Sequence, residues 1–459
     1  MDYDVIIAGA GPAGLSVGSE LSKELKVLVI DKKEKISDCH RSWLVPDLCV
    51  QGGNAQEITQ CAHNGVTHFL TKTFGGACVK WDALLKYYFI DEHKVLPMWG
   101  DILESNGAKI LLGCLYQDSE VEQDKVIVST SEGTFTTRLL IDASGYNSPI
   151  RKKYNIMEKG YYWWSVYGAI VEFPDGLNDM EVGDYMLWQT FKDTNAHVDT
   201  SMAHGRPVLE YEILDDKTAF VFIFYLRKNQ VEKDMMHEEF DHVLRHEKSM
   251  KNYENCTIKE WKFGWYPMGG MNSQKVAEDR VTFIGDAGCW TAPCGWGFSF
   301  VVDNYKKYAA NLLASINNEQ FDKCHLVNLI QLSVRTKSQV LIDQITTHFL
   351  ANASAPMLDK FINLFEPGGP LGDKGPLLCE KLFTLTLSDD DVKFMLKVAV
   401  KYFDLRELMH IMPHEDYFLL LEEVKEYVEA EVLDGLHELL SIFKHKKIRS
   451  VHINGFDFS

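Results

Sequence analysis

Apolar and polar positions follow two different rhythms along this chain, and the change of rhythm marks its parts. Val5 to Ala8 is a short, wholly apolar run, a small-residue segment follows, and Lys26 to Ile30 is a second largely apolar run. Apolar runs of that length, bounded by turn residues, read as buried strands of a parallel sheet, with a helix between them. Leu139 to Ile141 reads the same way, and the segment from 281 to 316 predicts a strand, a glycine-containing loop and a long helix. Between about 160 and 265 the texture changes. "YYWWSVYGAIVEF", "DYMLWQTF", "PVLEYEIL" and "TAFVFIFYL" alternate and are rich in aromatic and β-branched residues, which predicts an antiparallel sheet with one covered face. Beyond 320 the pattern is helical: Leu421, Val424, Val428, Val432, Leu436, Leu439 and Phe443 recur at steps of three and four, and "FEPGGPLGDKGP", 365–376, is a loop or hinge. The expected fold is α/β. Residues 1–155 and 262–320 form a discontinuous first domain, 156–261 an inserted antiparallel sheet, and 321–459 a helical C-terminal region.

Composition narrows the partners. With 459 residues, 46% of them hydrophobic, the chain can build two or three lobes. Its 47 basic against 66 acidic residues give a net charge of −19, which argues against a nucleic-acid surface. Ten cysteines without a C-x-x-C pair, and sixteen histidines without ligand spacing, offer no metal site. The cysteines read as thiols of a reducing cytosol, which places the protein in the cytoplasm. No signal peptide is expected ahead of the first strand and no apolar run suits a transmembrane helix, so a peripheral membrane contact is the only one left open. The oligomeric state is open.

The loop after the first strand carries chemistry. Gly9-Ala10-Gly11-Pro12-Ala13-Gly14 fits G-x-G-x-x-G, and Asp31 ends the second strand 22 positions after Gly9. Gly9 makes the tight turn, Gly11 lets N–H groups at the positive helix end approach a pyrophosphate, and Gly14 permits close helix–strand packing. Asp31 then sits where a carboxylate accepts from ribose hydroxyls. These features predict a Rossmann-like dinucleotide site. Two further segments, Asp142-Ala143-Ser144-Gly145 and Gly285-Asp286, each follow an apolar strand. Three such segments suit a large, permanently held dinucleotide, FAD, better than a nicotinamide cofactor.

Together they resemble the glutathione-reductase-type flavoproteins, in the p-hydroxybenzoate-hydroxylase-like branch that holds aromatic hydroxylases, flavin halogenases, geranylgeranyl reductases and lycopene cyclases. The resemblance implies that Asp286 serves the ribityl or pyrophosphate side of FAD. It also implies that Pro293-Cys294-Gly295-Trp296-Gly297 leads into a helix whose N-terminal N–H groups face the flavin N1/C2=O edge and stabilise the reduced form. Relatives place an arginine near the cofactor, and Arg41 in "HRSWLVP" is the candidate for an adenosine or pyrophosphate contact, its plain reading being a surface loop arginine. Residues 266–300 and 166–188 are most similar to the plant and cyanobacterial lycopene cyclases. Where those cyclases carry two glutamates for ring-closing protonation, this chain reads "AFVFIFYL", with Phe222 and Ile223 in their places. An apolar pair cannot donate a proton.

A hydrophobic small-molecule substrate, isoprenoid or aromatic, is expected against an aromatic wall of Trp163, Trp164, Tyr167, Trp188, Phe222 and Phe224, of which strand alternation allows only about half to share a face. The catalytic residue is open. Glu210, Glu212 and Asp184 are acids that could replace the missing pair or be ordinary solvent-facing strand residues. Lys80 raises flavin halogenation, which uses a lysine, and otherwise reads as a residue at a helix start. Cys289 and Cys294 in the flavin loop read as small buried thiols. Three functions follow: an FAD-dependent oxidoreductase supplied by NAD(P)H or a flavin reductase; a single-component monooxygenase or halogenase using a C4a-hydroperoxide; and a non-catalytic flavin-binding protein whose helical tail binds a partner.

Overall fold

The computed structural model describes residues 1–37, 41–72, 78–154, 162–174, 176, 181–190, 208–227, 229–246, 255–268, 276–288, 290, 297–334, 346–347, 349–350, 355–384 and 386–403. In chain order its elements begin with β1 (Tyr3–Ala8), α1 (Pro12–Leu21), β2 (Val27–Asp31), β3 (Ser42–Pro46), α2 (Asp47–Gly52), β4 (Ala62–Asn64), β5 (His68–Lys72), β6 (Cys78–Asp82), β7 (Tyr87–Asp91) and α3 (Glu92–Ser105). They continue with β8 (Lys109–Leu112), β9 (Tyr116–Val121), β10 (Val126–Thr130), β11 (Gly133–Asp142), α4 (Pro149–Lys153), β12 (Tyr162–Glu172), β13 (Asp184–Thr190), β14 (Val208–Ile213), β15 (Thr218–Arg227) and α5 (Lys233–His246). Last come β16 (Thr257–Met268), β17 (Ala277–Glu278), β18 (Val281–Phe283), α6 (Gly297–Asn317), α7 (Lys323–Val334), α8 (Ala355–Phe365), α9 (Gly375–Thr384) and α10 (Asp389–Tyr402).

The first sheet runs β17-β18-β11-β1-β2-β8, with β10 and β9 continuing from β11. Its centre is parallel, Val5 lying opposite both Leu139 and Val27. Val5, Ile6, Ile7, Leu28, Val29 and Leu140 are fully buried, as the uninterrupted apolar runs require of strands covered on both faces. Strand β18 arrives from residue 281 and pairs with β11, so the sheet is completed by a distant part of the chain.

The second sheet has seven strands, β16-β12-β15-β14-β13-β5-β6. The alternating segments form its antiparallel part, but it also takes in β5 and β6 from residues 68–82, with β5 parallel to β13. Lys80 therefore stands on a strand, not at a helix start: Val79 and Trp81 alternate with it and pair with Thr71 and Phe69. One face of the sheet packs Tyr167, Ala169, Val221, Ile223 and Tyr225 against Met236, Phe240 and Val243 of the amphipathic α5. The opposite face carries Trp164, Phe220, Phe222, Phe224, Glu212 and Tyr266, the register pairs and the two-residue strand period placing them together. A small third sheet, β3-β7-β4, meets that face, with Phe89 6.0 Å from Tyr185 ring to ring.

Chain contacts divide the protein into residues 1–387 and 388–459. The helices α7 to α9 fall in the first unit, and residues 366–374 form the loop that the glycines and prolines predicted between α8 and α9. The helical run expected from Leu421 to Phe443 lies outside the described residues. In the second unit α10 begins with a capping box, Ser388 and Asp391 each accepting from the other's backbone N–H.

Helix α9 is tied to the second sheet by one buried carboxylate. Glu380 accepts from Trp81 Nε1 at 3.3 Å, from the backbone N–H groups of Leu84 and Leu85 at 2.9 Å each, and from the Tyr87 hydroxyl at 2.8 Å. Glu380→Ala strips four buried or half-buried donors of their acceptor. It is expected to lower stability by roughly 3 kcal/mol or more, read as a shift in the denaturant midpoint.

Candidate functional site

The glycine loop has the form its sequence predicts, and each glycine has a separate reason. Gly9 has φ +120°, and a Cβ there would lie 2.3 Å from the Ala143 carbonyl oxygen. A Cβ on Gly14 would lie 2.0 Å from the Gly9 carbonyl oxygen, so α1 could not approach its own loop. At Gly11 the situation is reversed, since a Cβ would meet no protein atom within 4 Å. Gly11 is the N-cap of α1, has no side-chain cap, and is followed by Pro12 at the first helical position. The protein thus leaves open the space that the N–H groups at the positive end of a ten-residue helix face.

Asp31 ends β2 beside that space. Its Oδ2 accepts from the Ala10 N–H at 2.6 Å and its Oδ1 from the Lys33 N–H at 2.9 Å. Both bonds fix the carboxylate at the rim of the loop, and each oxygen keeps a lone pair for a ribose hydroxyl. Asp142, at the end of β11, turns out differently from its expected cofactor contact. It is fully buried, and its oxygens accept from the Ser144 N–H and hydroxyl and from the Ser148 hydroxyl. Its role is to fold the exit loop, which places Gly145 (φ +84°) facing open space. Gly285 (φ +60°) brings the loop after β18 against α1, where its Cβ would meet that of Ala13 at 2.8 Å.

Asp286, Arg41 and Tyr266 converge from three elements. Arg41 directs Nε to Glu92 Oε2 at 2.6 Å and Nη2 to Oε1 at 3.3 Å, a two-pronged pair with a fully buried carboxylate at the start of α3. Glu92 escaped the sequence reading; it holds the guanidinium in place over the Trp43 ring, 5.3 Å from its centroid. Trp43 in turn stacks on Phe298 of α6 at 4.3 Å. Burial raises the Asp286 carboxyl pKa, while the charges of Arg41 and Arg151 pull it down. Burial likewise raises the Tyr266 phenol against the pull of Arg41. Gly297 opens α6, but Pro293, Gly295, Trp296, Cys289 and Cys294 lie outside the described residues.

The aromatic wall divides as strand alternation dictates. Trp164 and Phe224 touch, centroids 4.1 Å apart, and Phe222 stands 6.4 Å from Phe224 and 4.7 Å from Phe220 on the same face. Tyr167 is not part of that wall. It sits in the α5-side core, its hydroxyl 2.8 Å from His237 Nδ1. Trp163, next to Trp164, belongs by alternation to the Tyr167 side and packs edge-on to Tyr146. The backbone of Trp188 and Glu210 is in strands, but their side chains lie outside the described residues.

Two of the candidate acids and the candidate lysine fall on opposite faces. Asp184 faces the Tyr167 side, where Lys80 Nζ lies 2.9 Å from its Oδ1 and His68 Nδ1 also 2.9 Å away. His68, Asp184 and Glu181 bring three ligand-type atoms within 4.8 Å of one another, with the Lys80 ammonium already held at the aspartate. Glu212 faces the aromatic wall. It is 4% exposed, burial pushes its carboxyl pKa up to about 8, and Ser42 Oγ donates to Oε1 at 3.1 Å.

A parallel sheet whose first glycine loop opens onto a helix N-terminus, with an acid at the end of the next strand, defines a dinucleotide-binding protein. The chain belongs to the FAD binding domain family, whose profile matches residues 2–297. A search of curated protein sequences finds no match. Among solved structures it is similar to a geranylgeranyl bacteriochlorophyll reductase-like protein from Thermoplasma acidophilum (TM-score 0.66, 15% identity, 89% of this chain and 99% of that one). It is also similar to the halogenase PltM in complex with phloroglucinol and FAD (0.60, 15%, 97% and 96%). A third is PqsL, a probable FAD-dependent monooxygenase from Pseudomonas aeruginosa (0.56, 12%, 76% and 97%). At these identities the likeness is one of fold. FAD is the cofactor the family binds, and no helix among the described residues is long and apolar enough to cross a membrane.

Proposed function

We infer that this protein is an FAD-dependent oxidoreductase acting on a flat or extended apolar substrate laid along Trp164, Phe222 and Phe224. The observation that supports this most is that the face of the second sheet turned from α5 is aromatic and ends, at Tyr266, within electrostatic reach of Arg41 and Asp286. The residues present fit FAD. Gly11 leaves room for the pyrophosphate at the α1 N-terminus, Asp31 stands where the ribose hydroxyls would bond, and Arg41 and Asp286 are held at the junction with the aromatic wall. When bound, FAD supplies two-electron chemistry, which lets the protein contribute orientation and electrostatics instead of a reactive side chain. Arg41 provides the positive charge, kept in register by Glu92. Trp164, Phe222 and Phe224 orient the substrate by shape and exclude water from it.

Reduction or oxygen-dependent hydroxylation of such a substrate fits this arrangement. The lysine that favoured halogenation is bound to Asp184 on the other face, turned from the aromatic wall. The likeness to lycopene cyclases adds an isoprenoid as one substrate class, although Phe222 lies in the wall and Ile223 in the opposite core where that family carries its glutamates. NADH or NADPH oxidation by the holoprotein, followed with and without oxygen and with a panel of isoprenoid and aromatic compounds, tests the reading. Turnover that depends on an apolar compound supports it. A flavin that neither pyridine nucleotide nor a flavin reductase can reduce and that reacts with none of the panel overturns it, in favour of a flavin-binding protein.

A further inference from the structure

We propose that Glu212, Ser42 and His63 form a proton path from solvent to the aromatic wall, with Glu212 as the proton donor at the wall and Ser42 and His63 as its resupply. This rests on the reading that the substrate lies along that wall. Three observations lead to it. First, Glu212 shares a face with the phenylalanines: it pairs in register with Phe220 on one side and Tyr185 on the other. Second, its hydrogen bond is to a neutral group: Oε1 accepts from Ser42 Oγ, and the nearest cationic-type side chain among the described residues, His63, stands 3.9 Å away. A buried carboxyl with so little support stays protonated at neutral pH, which is the state a general acid needs.

Third, the hydrogen-bonded chain continues outward. Ser42 Oγ lies 2.7 Å from His63 Nε2, and His63 stacks on Phe89 with ring planes 7° apart while its residue remains exposed to solvent. Imidazole exchanges protons with water near neutral pH, and a hydroxyl both accepts and donates, so the order of groups is correct for transfer. When Oε2 gives its proton to a substrate atom, Oε1 takes the Ser42 hydroxyl proton. Ser42 takes one from His63 Nε2, and His63 is recharged from solvent water. Rotation of the carboxyl returns the proton to the inward oxygen. One proton enters from solvent for each one delivered, and no electron moves. The three residues come from β14, β3 and β4, so the path crosses the junction between the second and third sheets.

Infrared spectroscopy of the full-length holoprotein tests this without requiring turnover. The carbonyl stretch of protonated Glu212, assigned by its loss in Glu212→Gln, is followed after a rapid pH jump across its titration range. The wild type is expected to exchange its proton rapidly. Both Ser42→Ala and His63→Phe are expected to slow the exchange several-fold, the phenylalanine keeping the stack on Phe89; retention of the flavin absorbance band shows that each variant is folded. Equal exchange rates in wild type and both variants would overturn the path, and so would the absence of a protonated carboxyl band that Glu212→Gln removes. A protein that shows the path but whose flavin neither pyridine nucleotide nor a flavin reductase reduces, and which reacts with none of the panel, would sink the oxidoreductase reading alone.

Discussion

Gly11→Trp is expected to give a folded protein that retains no FAD. The indole enters space that no protein atom fills within 4 Å of the Cβ position, so the chain itself is little disturbed, and the same indole stands where a pyrophosphate must reach the α1 N–H groups. Every hydrogen bond between FAD phosphates and the helix end is lost together, so the expected outcome is colourless protein with an unchanged far-ultraviolet circular dichroism spectrum. Yellow protein with an unaltered flavin spectrum would remove the assignment of this loop. Gly14 makes the useful contrast. There the added atom collides with backbone 2.0 Å away, and loss of flavin would be inseparable from loss of fold.

The second large effect is one of pH. Glu212 titrates at about 8 in the folded protein against an ordinary value of 4.5, because burial disfavours its charge more than Ser42 supports it. Well below pH 4.5 the carboxyl is protonated in folded and unfolded chains alike, and its contribution to stability is fully present. As pH rises from there, the unfolded chain ionises first while the folded one still holds its proton, so stability falls until the folded carboxyl ionises as well. Each tenfold difference in acidity between the two states is worth about 1.4 kcal/mol, so the loss amounts to several kcal/mol by about pH 9. Glu212→Gln keeps an oxygen for Ser42 and never ionises. Its denaturant midpoint is therefore expected to decline less between about pH 5 and pH 9 than that of the wild type, the two curves diverging steadily from the lower limit upward. Parallel curves would show that Glu212 is solvated.

Much of this was legible in the sequence where the determinant is local. The apolar runs at 5–8 and 27–30, the loop from Gly9 to Gly14 and the acid at Asp31 lie within one supersecondary unit, so spacing alone located them. Alternation identified the second sheet but not its phase. Tyr167 and Trp164 are equally aromatic, and only α5 covering one side decides that Tyr167 is core and Trp164 is wall. Lys80 misled for a related reason, since the partners that make it a strand residue, Leu70 and Asp184, sit 10 and 104 positions away. Glu92 and Ser42 were invisible because their significance comes from contacts made across 51 and 170 positions. Among the three acids, sequence could not rank Glu212 above Asp184. Both are buried, but Asp184 holds the Lys80 ammonium at 2.9 Å while Glu212 has only His63 at 3.9 Å, and that difference is a property of the packed junction.

A crystal structure of the protein with FAD bound tests the cofactor site and the aromatic wall together. The adenosine half of the cofactor is expected between Gly11 and Asp31, the pyrophosphate on the α1 N-terminus, and the flavin ring beside Arg41 and Tyr266 with one face toward Trp164, Phe222 and Phe224. A flavin ring found away from that aromatic face, with the Gly11 cradle filled by something other than pyrophosphate, would contradict this placement.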